Sequence, residues 1–266
     1  MLTALLLLLT LGWFFPARWA LAWLSPPMHG LQLQQVHGSL WNGRAERVLL
    51  ADGSVLGHVR WQVSRRALFT TVPLQVDFAG PQLVFSGSVQ AAADGRVRWD
   101  NVQLRADLAL WRPHGTPPPG RPRGVLWVTV AHALLQDGWP LQLDLRACWR
   151  DAALLVRDAN IPLGALDIRA TAHAGVVDAR VNDVDAGPLQ VLGTLQLSPL
   201  GWWLDARLRA RHADPTLQHW LATLGGVDTA GSVHVQRRGG LALAAPAASA
   251  PAGSAVFSTR TPRGPP

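Results

Sequence analysis

Residues 31 to 238 keep a period of two, and little else about the chain constrains its fold as strongly. In VLGHVRWQV at 55–63, Val55, Val59, Trp61 and Val63 share one parity, with Gly57 in the gap. Leu56, His58, Arg60 and Gln62 hold the other. Successive strand side chains point to opposite faces, so this pattern predicts strands with one face buried. The rhythm returns at 74–78, 82–90, 96–105, 125–131, 141–149, 166–174, 189–197, 202–211 and 232–238. Turn signals separate the segments: Asn42-Gly43, Asp52-Gly53, Asp94-Gly95, Asp137-Gly138, Ala186-Gly187-Pro188 and Ser198-Pro199-Leu200-Gly201. Up to residue 211 no helical pattern lies between neighbouring segments, so hairpins rather than parallel crossovers follow there. The segments lack a fixed spacing, which speaks against a solenoid of equal units.

The predicted fold class is mainly β: a largely antiparallel curved sheet, open or sandwich-like, with one short C-terminal helix. In ADPTLQHWLATLGG, Asp214 is the N-cap candidate and Pro215 occupies the first helical position. Leu217, Trp220, Leu221 and Leu224 share a face, and Gly225 ends the run. A helix over 215–224 is too short to stand alone in water, so its Leu/Trp stripe needs the sheet or a partner. The Pro/Gly-rich segment 112–124 reads as a loop or spacer between two β regions, 25–111 and 125–245, and 246–266 as a low-complexity disordered tail.

Residues 2–15, LTALLLLLTLGWFF, are uninterruptedly apolar, and the run extends to Leu24 through Pro16 and Arg18. Those 23 residues suffice, at about 1.5 Å each, to cross a hydrocarbon core as a transmembrane anchor over 1–24. Arg18 can snorkel to the interface, and Trp13, Trp19 and Trp23 suit an interfacial belt. The alternative is a cleaved signal peptide with Ala20-Leu21-Ala22 as its processing site. No Lys or Arg precedes the run, and Trp23 sits awkwardly beside that site. Either reading carries the remaining chain across the membrane.

The net charge of +7 invites a nucleic-acid partner, but all 24 basic residues are Arg and they lie singly or in pairs such as Arg65-Arg66. Nucleic-acid surfaces concentrate their charge, so a solvated surface is the better account. Cys148 is the lone cysteine, which excludes an intrachain disulfide and predicts a buried, inert thiol.

The block VHGSLWNGRA at 36–45 raises the possibility of a phosphate loop. Gly38 and Gly43 have its spacing, but Arg44-Ala45 stands where Lys-Ser/Thr is needed, and strand rather than helix follows. The structural reading is a strand from Val36 to Trp41 turning at Asn42-Gly43, with Trp41 in the core. No G-x-S-x-G elbow and no H-x-x-x-H pair occurs. His212 and His219 flank Asp214, with His219 on the side of the helix away from the apolar stripe, and read as solvated. Asp178, Asp183 and Asp185 in VVDARVNDVDAG lack calcium-loop spacing, so a polar loop is expected there. The residues therefore supply no catalytic, cofactor-binding or metal-binding candidate, and an enzyme is not expected.

Three blocks then stand out together: FFPARWALAWL at 14–24, VHGSLWNGRA at 36–45 and ADPTLQHWLATLG at 213–225. In kind, order and spacing they resemble the type II secretion system protein N family, the middle one matching its G-[ST]-[LV]-W-x-G-x-A block. The missing N-terminal basic residues, the Pro-rich segment and the long tail depart from the family pattern. The resemblance implies a non-catalytic, single-pass inner-membrane protein with most of its chain in the periplasm. It implies the inner-membrane platform subunits and the outer-membrane secretin as partners, and neither cofactor nor nucleic acid. An alternative from another class is a lipid-handling module, in which the apolar face of a curved sheet carries acyl chains.

Overall fold

A computed structural model describes residues 31–50, 53–64, 72–92, 94–110, 120–156, 159–184 and 186–240. Thirteen strands follow one another: β1 (Leu31–Gly38), β2 (Asn42–Leu50), β3 (Val55–Val63), β4 (Leu74–Ala79), β5 (Leu83–Ala91), β6 (Arg96–Asp107), β7 (Arg121–Gln136), β8 (Trp139–Val156), β9 (Ala159–His173), β10 (Val176–Asp183), β11 (Leu189–Ser198), β12 (Gly201–Ala210) and β13 (Ser232–Gly240). One helix, α1 (Pro215–Leu224), lies between β12 and β13, at the bounds that capping predicts.

The order in the sheet is the order in the chain, and every pair is antiparallel. The result is a single open meander with β1 and β13 as its edges, not a sandwich. Among the strands themselves, apart from β8 with β10 and β9 with β11, each packs substantially only on its sequence neighbours. The sheet runs through the β6–β7 hairpin without a break, pairing Asp107 with Val125. β7 begins at Arg121, inside the span read as a 112–124 loop. The anchor at 1–24 and the tail at 246–266 lie outside the described residues. Among the described residues no helix is long and apolar enough to cross a membrane.

The register turns the period-two pattern into two continuous rows. One residue from each strand, each directly opposite the next, gives Val36, Ala45, Val59, Phe78, Phe85, Leu104, Val128, Ala147, Ile168, Val181, Gly193, Ala206 and Val235. No member carries a hydrogen-bonding side chain. The neighbouring row on the other face is His37, Arg44, Arg60, Asp77, Ser86, Gln103, Thr129, Arg146, Arg169, Arg180, Thr194, Asp205 and Gln236. A one-residue slip in any hairpin would exchange the two chemistries, so burial of the apolar face fixes the register. Irregularities in the β2–β3, β5–β6, β7–β8 and β8–β9 ladders absorb extra residues without disturbing it.

The main core lies where α1 covers one end of the apolar face. Leu217 and Leu221 of the helix meet Ile161, Leu163, Leu189, Val191 and Val233 of the sheet. At about 1.5–3 kcal/mol per fully buried large side chain, this burial holds the ten-residue helix on the sheet. The helical stripe is thus spent on the protein's own strands, leaving Gln218 and His219 exposed. Two smaller clusters, around Val102 and Val130 and around Ala172 and Val177, are built from adjacent strands alone.

Local expectations fare unevenly. Asp137 and Gly138 both have positive φ, as a two-residue hairpin turn demands. Asn42-Gly43 does not form the turn: Leu40 and Trp41 occupy it, Ser39 N–H donates to the Asn42 carbonyl at 2.9 Å, and Asn42 opens β2. VVDARVNDVDAG is no polar loop over its first part, since Val176–Asp183 is β10 paired on both sides. The expectation that Cys148 is buried also fails, because it is only half-buried. It lies directly opposite exposed Trp127, on the polar parity, whereas its neighbour Ala147 faces the core.

Candidate functional site

The block at 36–45 forms the end of β1, the turn after it and the start of β2. Gly38 has φ +90°, and a Cβ there would collide with the Asn42 carbonyl oxygen. The Ser39 hydroxyl accepts from Asn42 N–H at 3.2 Å, closing the turn that backbone bonding alone leaves half-made. Trp41 is 8% exposed, which places it in the core as the sequence reading expects, and its carbonyl accepts from Val63 N–H at 2.7 Å. Gly43 has no left-handed backbone to explain it. Its partner across the ladder is Trp61, whose indole covers the Cα: an added Cβ would lie 2.5 Å from Trp61 Cε2. Ala45 is completely buried. Gly38, Ser39, Trp41, Gly43 and Ala45 all have a steric or hydrogen-bonding task in starting the sheet.

A matching device lies at the other edge. Trp202 pairs directly with Gly239, and a Cβ on that glycine would lie 2.6 Å from the indole Nε1. A large aromatic laid over a glycine in a neighbouring strand covers the backbone that the glycine leaves bare. Sequence reading missed both pairs, although a strand glycine combined with a tryptophan across one hairpin is a usable signal.

The helix block is also structural. Asp214 accepts from Thr216 N–H at 2.9 Å and Leu217 N–H at 3.3 Å, satisfying two otherwise orphaned donors. After the helix, Asp228 accepts from Ala230 N–H and Ser232 N–H and shapes the return into β13. The Trp220 indole N–H is buried without an acceptor.

The ionisable groups form braces. Asp183 accepts from Val191 N–H at 2.9 Å and pairs with Arg211, tying the end of β10 to β11 and to the chain entering the helix. Burial pushes its pKa up, but the Val191 amide and the Arg211 guanidinium outweigh that and hold it below the usual carboxylate range. Asp205 receives the Gln236 amide at 2.8 Å and faces His234 Nε2 at 3.0 Å, stitching β13 to β12. The Gln236 hydrogen bond foremost, opposed by desolvation and helped by His234, lowers its pKa as well. Asp178 bonds to Gln196, and it and Asp183 lie at opposite parities of one strand, so they share no site. His212 and His219 are exposed, as expected. Among the described residues no three His, Cys, Asp or Glu side chains converge as metal ligands.

The polar face holds a shallow depression of about 560 Å³ over β9–β12, lined by Arg169, Arg180, Asp178, Thr194, Gln196 and Trp203. Two of its three charges face partners, Arg169 meeting Asp167 at 3.0 Å and Asp178 meeting Gln196. On the same face Arg105 stacks over its direct partner Trp127 at 5.2 Å, which accounts for that exposed indole.

The profile of the family described as "Type II secretion system (T2SS), protein N" matches residues 29–236. A protein of Aeromonas hydrophila named "Type II secretion system protein N" is 27% identical over 214 residues, covering 75% of this chain and 81% of its own length. No solved structure matches. The matched span runs from just before β1 into β13, through both structural blocks, and the chain belongs to the type II secretion system protein N family.

Proposed function

We propose that this protein is a non-catalytic accessory subunit of type II secretion. In this reading residues 1–24 anchor it in the inner membrane, and the sheet stands in the periplasm. There it assists assembly or bridges the inner-membrane platform subunits to the outer-membrane secretin. The observation that carries the reading is the open meander of a secretion-family chain, in which β1 and β13 are the edges with no further strand paired to them among the described residues. An edge strand presents backbone N–H and C=O groups to a partner strand. Burial of the stripe of α1 against the sheet removes the helix as a competing docking element, so the edges are the better candidates. β13 is the more selective, because Arg237 and Arg238 are exposed along it and suit an acidic partner. An anchor raises the effective concentration of such an edge near the platform.

The test is photo-crosslinking in intact envelopes, with a photoreactive residue at Gln34 on β1 or Arg238 on β13 of the full chain. Adducts with platform or secretin subunits from either edge support the reading. Recovery of no secretion subunit from both positions refutes it.

A further inference from the structure

The apolar row that crosses all thirteen strands is covered unevenly. α1 lies only over the end of the face made by β9 and β11–β13. From β3 to β8 the same face carries Val59, Phe78, Phe85, Leu104 and Val128, all half-exposed. Among the described residues, the one further element on this stretch is the short 3-10 turn Leu108–Leu110, which packs on β7. Val76, Val102, Val130 and Leu145 continue the face beside the first row, and a further apolar row through Leu74, Val89, Trp99 and Leu143 lies about 14 Å from it. With strands about 4.8 Å apart, the uncovered stretch from β3 to β8 is a strip about 24 Å long and three side-chain rows wide. A sheet face of this kind must be buried against something.

We propose that this strip holds the acyl chains of a membrane phospholipid. It presents no hydrogen-bonding side chain in its main row, so a polypeptide laid along it would have its backbone groups desolvated without partners. Hydrocarbon has no such requirement. A path of this size is also smaller than the roughly 800 Å² a side that stable protein partners usually bury. Residues 241–266 carry Leu241, Leu243, Val256 and Phe257 as their large apolar residues, too few to line such a strip. The strip also begins near a source of lipid: the apolar run ends at Leu24 and β1 starts at Leu31, seven residues on. That distance is at most about 25 Å of extended chain. The inference takes the anchor from the secretion reading and is otherwise independent of it.

The test uses the full chain in its membrane, in cells that lack the other secretion subunits and are grown with radioactive phosphate. A benzophenone amino acid replaces Phe85 or Leu104 on the strip, or Ser86 or Gln103 on the opposite face. Position 85 is already aromatic and tolerates the probe best. The expected result is a phosphate-labelled adduct at the monomer's mass, at least tenfold stronger from the strip positions. Native mass spectrometry of the unsubstituted chain, extracted in mild detergent, supplies a second reading, with retained phospholipid expected. Equal labelling from both faces, or a strip crosslink at twice the monomer's mass, overturns the proposal. So does the absence of lipid from both measurements.

Discussion

Trp61 and Gly43 are direct partners across β3 and β2, and the indole fills the space that a side chain at residue 43 would need. The pair makes the hairpin after the Ser39–Asn42 turn specific in a way turn chemistry alone does not. Gly43→Ala should cost about 1–3 kcal/mol, as overpacking of a formed core does. If the clash is with the ring, Trp61→Leu should cost less in the Gly43→Ala background than in the parent. The double-mutant cycle should then return a coupling of about 0.5–3 kcal/mol, read from urea unfolding of the full chain in detergent. Additive costs would show that the two side chains do not meet.

The same pair shows what the sequence makes legible. The alternation of Val59 and Trp61 with His58 and Arg60 reveals both the strand and the face, because one buried face imposes a period of two. Such patterns recover most of the strands and the antiparallel class. Asp214 and Pro215 reveal the helix start, since capping is local. Asn42-Gly43 misleads, because a glycine after asparagine has two physical uses, a left-handed turn or room for a ring, and only the register distinguishes them. The Asp183–Arg211 brace is illegible for the same reason, joining residues 28 apart that only the meander brings together. Acidic residues in VVDARVNDVDAG suggest a loop, yet strand pairing on both sides overrides composition.

The helix tests its seat directly. Leu217 has no exposed surface, so Leu217→Ala should lose about 2–5 kcal/mol. Asp214→Ala removes the acceptor of two backbone donors and should lose about 0.5–2 kcal/mol. His219→Ala, on the exposed side, should stay within about 0.5 kcal/mol. Equal losses at Leu217 and His219 in the same urea series would contradict the packing of α1.

Trp220 offers the opposite sign. Its ring packs against the main core while its N–H is buried without an acceptor. An unmet buried donor costs about 1–3 kcal/mol, so Trp220→Phe should be neutral or stabilising, and Trp220→Ala clearly destabilising. A large loss in the Phe variant, seen as a lower thermal midpoint, would mean that the N–H has an acceptor after all.

Acid should loosen the join between the helix and the sheet through Asp183. In the folded chain its pKa lies below the ordinary value of 3.8, since the Val191 amide and Arg211 together outweigh the upward push of burial. A carboxylate with a depressed folded pKa stabilises fully above its unfolded pKa, and that contribution disappears as pH falls through the folded value. The window is therefore below about pH 4. Asp183→Asn removes the charge but can still accept from the Val191 amide, so it isolates the part owed to the ion. Urea midpoints of the full chain should differ between parent and variant at pH 7, and the gap should narrow as pH is lowered from about 4. Asp205 titrates in the same direction, so the comparison is repeated in an Asp205→Asn background, where the narrowing should persist. A gap that stays constant down to the acid limit would mean that Asp183 holds its partners without its charge.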